Sequence, residues 1–88
     1  MSSSYQVRSS ARAERDLLRF PEKISAACLA FIFGPLAEQP YRLGGALRGK
    51  LTGLRSARRG SYRIVYRVDD ELGRLDIVHI DHRGEVYR

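Results

Sequence analysis

Arginine is the residue type with the most chemistry to offer in this chain. The 88 residues carry sixteen basic and ten acidic side chains, a formal net charge of +6, and fourteen of the sixteen are arginine. A guanidinium stays charged and bonds two oxygens at once, so the composition suits bidentate contacts to phosphate or carboxylate. The charge is unevenly placed. Residues 1–44 hold six basic and four acidic groups, residues 45–68 hold seven and none, and residues 69–88 hold three and six. Solvated faces normally mix both signs, so a net +7 over 24 residues reads as a footprint for a polyanion. Nucleic acid and an acidic protein surface both fit, with chance clustering of solvated charge as the bland alternative. Arg48, Lys50, Arg55, Arg58, Arg59 and Arg67 are the candidate backbone contacts for RNA.

Groups that move protons near neutral pH are few. His82 stands beside Arg83 and is a candidate acid, although a turn histidine is the commoner reading. His79 lies in the apolar stretch Ile77-Val78-His79-Ile80 and reads as a packed, hydrogen-bonded side chain. With two histidines and the single Cys28 there is no transition-metal cluster and no internal disulfide, and no cofactor is implied. The glycines of residues 40–53 lack the spacing of a phosphate-binding loop, and no Gly-Lys-Ser/Thr follows them.

The elements that must position these residues follow from periodicity. Tyr5 and Val7 alternate with polar neighbours as a short strand. Ser9 or Ser10 caps a helix in which Ala13, Leu17 and Phe20 recur on one side. Pro21 limits that helix and opens a second one, carrying Ile24, Ala27, Cys28, Phe31 and Ile32, until Gly34-Pro35 kinks or ends it. A glycine-rich connection over 40–53 leads into strands: 54–58, then a turn at Arg59-Gly60-Ser61, then Tyr62 to Val68, then 75–80 after a second turn. Val86 and Tyr87 are candidates for closing the edge. Tyr62, Ile64, Tyr66 and Val68 alternate with Arg63, Val65 and Arg67, so if helices cover the tyrosines, the arginines lie on the opposite, working face. Tyr62 and Tyr66 accordingly read as core.

The expected architecture is α+β, with two N-terminal helices packed on one face of a small, mainly antiparallel sheet of four or five strands. Residues 1–88 are expected to form one domain, too short for a doubly wound nucleotide-binding fold. The longest wholly apolar run, Ala26–Phe33, is eight residues against the roughly 20 that cross a bilayer. No basic, apolar leader opens the sequence, so a cytoplasmic protein without membrane contact is expected.

The order and spacing of several short stretches resemble the RelE family of bacterial toxins, within the RelE/ParE superfamily, and especially its short actinobacterial members. They are Tyr5-Gln6-Val7, Arg15-Asp16-Leu17 with Phe20-Pro21, Pro40-Tyr41-Arg42 with Leu47-Arg48-Gly49, the run Ser56 to Tyr66, and His82-Arg83-Gly84-Glu85-Val86-Tyr87. The resemblance implies the toxin of a type II toxin-antitoxin pair. Such a toxin is a ribosome-dependent endoribonuclease that enters the A site of the 70S ribosome and cuts messenger RNA by 2′-hydroxyl attack without a metal. It implies a cognate acidic antitoxin, through which DNA is met only indirectly. On the family's pattern Arg63 meets the scissile phosphate, Arg83 is a second active-site arginine, and Tyr87 stacks on or orients the substrate base.

The sequence departs from the better-studied pattern in Arg55-Ser56-Ala57-Arg58, where basic residues two apart are expected, and in the tight spacing of Arg83 and Tyr87. Structural alternatives stand beside these roles. They are Arg63 as a partner of Asp76, Arg83 as a partner of Glu85 or Asp81, and Tyr87 as cover for a core edge. Two further functions compete: a ParE-like inhibitor of DNA gyrase, and a non-catalytic RNA-binding or corepressor module.

Overall fold

The computed structural model describes residues 4–82. The chain runs β1 (Gln6–Ser9), α1 (Ala11–Arg19), α2 (Glu22–Phe31), a wide π-helical turn (Ile32–Leu36), α3 (Pro40–Leu43), β2 (Gly45–Ala46), a single 3-10 turn (Gly49–Leu51), β3 (Arg55–Arg59), β4 (Tyr62–Asp69) and β5 (Arg74–His82). The fold is α+β, as the periodicity predicts. Five strands form one sheet in the order β1-β5-β4-β3-β2, antiparallel except for the parallel pair of β1 with β5. No helix among the described residues is long and apolar enough to cross a membrane.

Both N-terminal helices lie on one face of the sheet because their apolar residues and those of the strands form one cluster. Ala13 and Phe20, with Cys28 and Phe31, pack with Ala57, Tyr62, Ile64, Tyr66, Leu75, Ile77 and Ile80. The Tyr62 hydroxyl donates to the Ala27 carbonyl at 3.2 Å, and its ring meets Phe31 edge-on. Burying apolar surface in this way contributes roughly 25 cal/mol per Å².

Gly34-Pro35, where a kink or an end is expected, falls inside the wide π-helical turn that follows α2. Proline removes an amide donor and crowds the preceding turn, and here the widened turn absorbs it, so the helical path continues with Ile32 and Leu36 still in the core. The glycine-rich connection is more ordered than its composition suggests. The buried Tyr66 hydroxyl donates to the Pro40 carbonyl at 2.6 Å, and Arg55 Nη2 reaches the carbonyls of Tyr41 and Gly44 at 3.2 and 2.9 Å. Gly44 is required there by close approach: a Cβ on it would fall 2.0 Å from the Tyr66 hydroxyl and 2.8 Å from the Ser56 carbonyl.

The feature that decides the chemistry of the sheet is a bulge in β5. Val65 pairs with His79 while Tyr66 pairs with Ile77, which leaves Val78 as an extra residue. Before the bulge Leu75 and Ile77 face the helices; after it Ile80 does, three residues on. Two side chains of the α1 region satisfy the disrupted ladder. The Ser10 hydroxyl caps α1 by accepting from the Ala13 amide at 3.0 Å, and it donates to the Val78 carbonyl at 2.5 Å. Asp16, buried on the same helix, accepts from the Ile80 amide at 2.9 Å and pairs with Arg19.

Candidate functional site

The sheet face turned away from the helices carries the candidate site. Register sets its rows: Arg58 of β3 lies opposite Arg63 of β4, which lies opposite Asp81 of β5. Ser56, Val65 and His79 form the next row. Arg67, Asp76 and, across the parallel pair, Arg8 form a third. Directly opposed residues stand about 5 Å apart at Cβ, so neighbouring rows are within reach of one small ligand. Val65 is buried yet stands outside the core cluster, consistent with its place on this second face.

Arg63 and Arg67 occupy the open face, as their alternation with Tyr62, Ile64 and Tyr66 predicts, and both tyrosines are in the core. Arg63 pairs with Asp81, Nη2 to Oδ2 at 3.1 Å, rather than with Asp76. Both side chains remain nearly half exposed, so water screens the pair and a phosphate can compete for the guanidinium. Arg67 approaches Asp76 at 3.9 Å, and Arg74 holds the same carboxylate at 2.9 Å.

The +7 segment is divided between the two faces. Arg58 is exposed on the open face. Arg55 and Arg59 lie opposite Tyr66 and Tyr62, on the helix side. Arg55 stacks over Tyr41 at 4.9 Å while its fork holds two carbonyls, and Arg59 stacks over Phe31 at 4.9 Å. Their positions give them packing work on the far side from Arg63. Arg48 and Lys50 are exposed on the 3-10 connection.

Neither histidine stands where the commoner expectation puts it: His82 ends β5 rather than lying in a turn. His82 is on the helix face, its ring 5.4 Å from that of Phe20 and its Nε2 3.1 Å from Ser61 Oγ. His79, expected among the packed residues of an apolar run, is carried by the bulge to the open face opposite Val65. Its Nδ1 lies 3.6 Å from Asp81 Oδ1. The signal was present in the sequence, because apolar positions at 75, 77 and 80 break strict alternation by one residue. Arg83, Tyr87 and the edge-closing Val86 lie outside the described residues. Among the described residues no three His, Cys, Asp or Glu side chains converge to hold a metal ion.

At the other end of the sheet Asp70 receives the hydroxyls of both Tyr5 and Tyr41 at 2.5 Å, joining the approach to β1, α3 and the β4–β5 turn. These bonds hold the Asp70 carboxyl below the usual range and push the Tyr5 phenol up to about 12. Burial pushes the Cys28 thiol up to about 11, so it stays protonated and unreactive at neutral pH.

Comparison with known proteins fits this geometry. A family model described as the ParE toxin of the type II toxin-antitoxin system parDE matches residues 7–87. The chain is 56% identical over 84 residues to Toxin RelE of Mycobacterium tuberculosis, a match covering 96% of this chain and 87% of that one. It is 48% identical over 84 residues to Toxin RelG of the same organism, covering 96% and 97%. A chain in the crystal structure of the toxin-antitoxin complex RelBE2 from Mycobacterium tuberculosis superposes with a TM-score of 0.90 at 47% identity, over 92% of this chain and 93% of that one. The chain belongs to the RelE/ParE superfamily of type II toxin-antitoxin toxins.

Proposed function

We propose that this toxin is a ribosome-dependent endoribonuclease that cuts messenger RNA in the ribosomal A site and is held in check by a cognate acidic antitoxin. The observation that carries the reading is Arg63, nearly half exposed on the sheet face turned away from the helices, opposite Arg58 and on the same strand and face as Arg67. The names of the relatives at 56% and 48% identity, RelE and RelG, support it.

Cleavage by the RNA's own 2′-hydroxyl needs charge stabilisation on the phosphoryl oxygens in an in-line displacement. A guanidinium fixed on a strand supplies it without reorganising during the reaction. In this reading Arg63 leaves Asp81 for the scissile phosphate, Arg83 joins it, Tyr87 stacks on the base, and Arg58 and Arg67 hold flanking phosphates. Losing one such transition-state donor costs on the order of 3 kcal/mol, about 100-fold or more in rate.

The family model's description as a ParE toxin favours a second reading, inhibition of DNA gyrase through protein contacts. Primer extension on ribosome-bound message, run beside a gyrase cleavage assay, separates the two. The first reading expects cuts within coding sequence that fall about 100-fold in Arg63→Ala with circular dichroism unchanged. Intact messages together with gyrase trapped on cut DNA would establish the second.

A further inference from the structure

We infer that His79 is a catalytic residue of this toxin, the base that takes the proton from the attacking 2′-hydroxyl, with Asp81 as its positioning residue. The inference rests on the ribonuclease reading above and adds a group that the reading leaves unassigned. Arginine binds the phosphate well but stays protonated, so it cannot accept that proton. A residue that can must stand beside Arg63 and change charge near neutral pH.

Among the described residues of the open face, His79 alone meets both conditions. The bulge at Val78 places it opposite Val65 and diagonal to Arg63. One carboxylate serves both groups: Asp81 Oδ2 takes Arg63 Nη2 at 3.1 Å, and Asp81 Oδ1 lies 3.6 Å from His79 Nδ1. That nitrogen is buried and without a hydrogen-bond partner among the described residues, as is Nδ1 of His82, but only at His79 does a carboxylate shared with Arg63 stand next to it. At 3.6 Å the Asp81 contact is long for a hydrogen bond, and such contacts commonly tighten when substrate binds. A carboxylate beside Nδ1 favours the tautomer with its proton there, which leaves the Nε2 lone pair as the base.

The other charged groups around this position are Asp76 of β5, Arg67 of β4, Arg58 of β3 and Arg8 of β1. His82 is on the opposite face against Phe20 and is not placed to act here.

In the step itself the 2′-oxygen bonds to phosphorus as its proton passes to His79 Nε2. The bond from phosphorus to the 5′-oxygen breaks, and that oxygen takes a proton from water. The products are a 2′,3′-cyclic phosphate and a 5′-hydroxyl end. The imidazolium then returns its proton to solvent.

The test is the pH dependence of kcat/KM for cleavage of ribosome-bound message, beside a nuclear magnetic resonance titration of the His79 ring in the free toxin. The wild type is expected to gain about tenfold in rate per pH unit on the acid side and to level off at the pKa found for His79. His79→Gln is expected to lose that limb and about 100-fold or more of the plateau rate, and imidazole in the buffer is expected to restore part of the activity of His79→Gly. Asp81→Asn is expected to lower kcat while keeping the limb, with KM little changed, and Asp81→Glu to recover part of the loss, since the ring loses the carboxylate that orients it. A folded His79→Gln with the wild-type rate and profile overturns the inference and leaves the ribonuclease reading standing. If the variants do not fold, disagreement between the kinetic pKa and the titrated one in wild type overturns it equally. Wild-type toxin that leaves ribosomal message uncut at every pH refutes the ribonuclease reading, and the inference with it.

Discussion

Replacing Asp16 by alanine tests whether α1 holds the β5 bulge, and through it the composition of the open face. Asp16 Oδ2 accepts from the Ile80 amide at 2.9 Å, in a buried position that water does not reach. Removing it leaves that amide unpaired, at about 1–3 kcal/mol. The Arg19 pair adds little, because the arginine side chain is 57% exposed and exposed pairs contribute about 0–1 kcal/mol. The expected loss is therefore about 1–4 kcal/mol, which lowers Tm by roughly 4–30 °C in a domain of this size. Asparagine keeps one acceptor oxygen at the site and is expected to lose only about half as much. Thermal melts give the totals, and hydrogen exchange gives the location, with protection falling first at the Ile80 amide. The Ser10→Ala variant, which removes the cap and the bond to Val78, is expected to cost about 1–2 kcal/mol. It should couple to Asp16→Ala, because both residues secure one bulge. An Asp16→Ala protein with wild-type Tm and wild-type protection at Ile80 would refute this account of the bulge.

Three further outcomes are expected. Gly44→Ala should destabilise by about 1–3 kcal/mol in denaturant melts, and adding Tyr66→Phe should recover only part of the loss, because the Ser56 carbonyl still stands 2.8 Å from the new methyl. Arg55→Ala should lower Tm through the loss of two carbonyl contacts, whereas Arg58→Ala should leave Tm nearly unchanged and reduce the salt dependence of RNA binding. The Asp70 bonds make opposite contributions at the two ends of the pH scale. Its carboxyl is held low, so its contribution is complete above the unfolded value near 4 and fades as pH falls through the lower folded one; the Tyr5 phenol is held up, so its contribution is complete below about 10 and fades toward 12. Melts across pH should show both losses shrinking in Tyr5→Phe and the acid loss shrinking in Asp70→Asn.

The parts of the fold legible in the sequence are those where one physical preference acts alone. Ser10 before Ala13, Leu17 and Phe20 predicts the capped first helix, and Tyr62 to Arg67 predicts which residues of β4 face the core. The parts that were not legible depend on contacts between distant residues. Gly34-Pro35 is a kink or an end by local preference, and Ile32 and Leu36, whose side chains are buried in the core, keep the chain helical there through a wide turn. Helix α3 and strand β2 are too short to persist on propensity and are tied down by Tyr66 and Arg55 from strands that follow them. His79 shows the cost of reading alternation as unbroken. One extra residue moved it from the expected core to the face of Arg63.

The divided charge also changes what the +7 segment means. Charge counted along the chain suggests a uniformly cationic surface, but antiparallel pairing returns β5, from the acidic third of the sequence, beside β4. Asp81 and Asp76 therefore stand opposite Arg63 and Arg67. The Arg63 pair is exposed at both partners and contributes about 0–1 kcal/mol, so in the ribonuclease reading a phosphate that bonds the guanidinium through two oxygens can displace Asp81 at little cost. Until it does, Asp81 restricts the guanidinium on the face, which reduces the side-chain entropy lost on binding. The bulge at Val78 sets this arrangement, since it places both His79 and Asp81 on the face of Arg63.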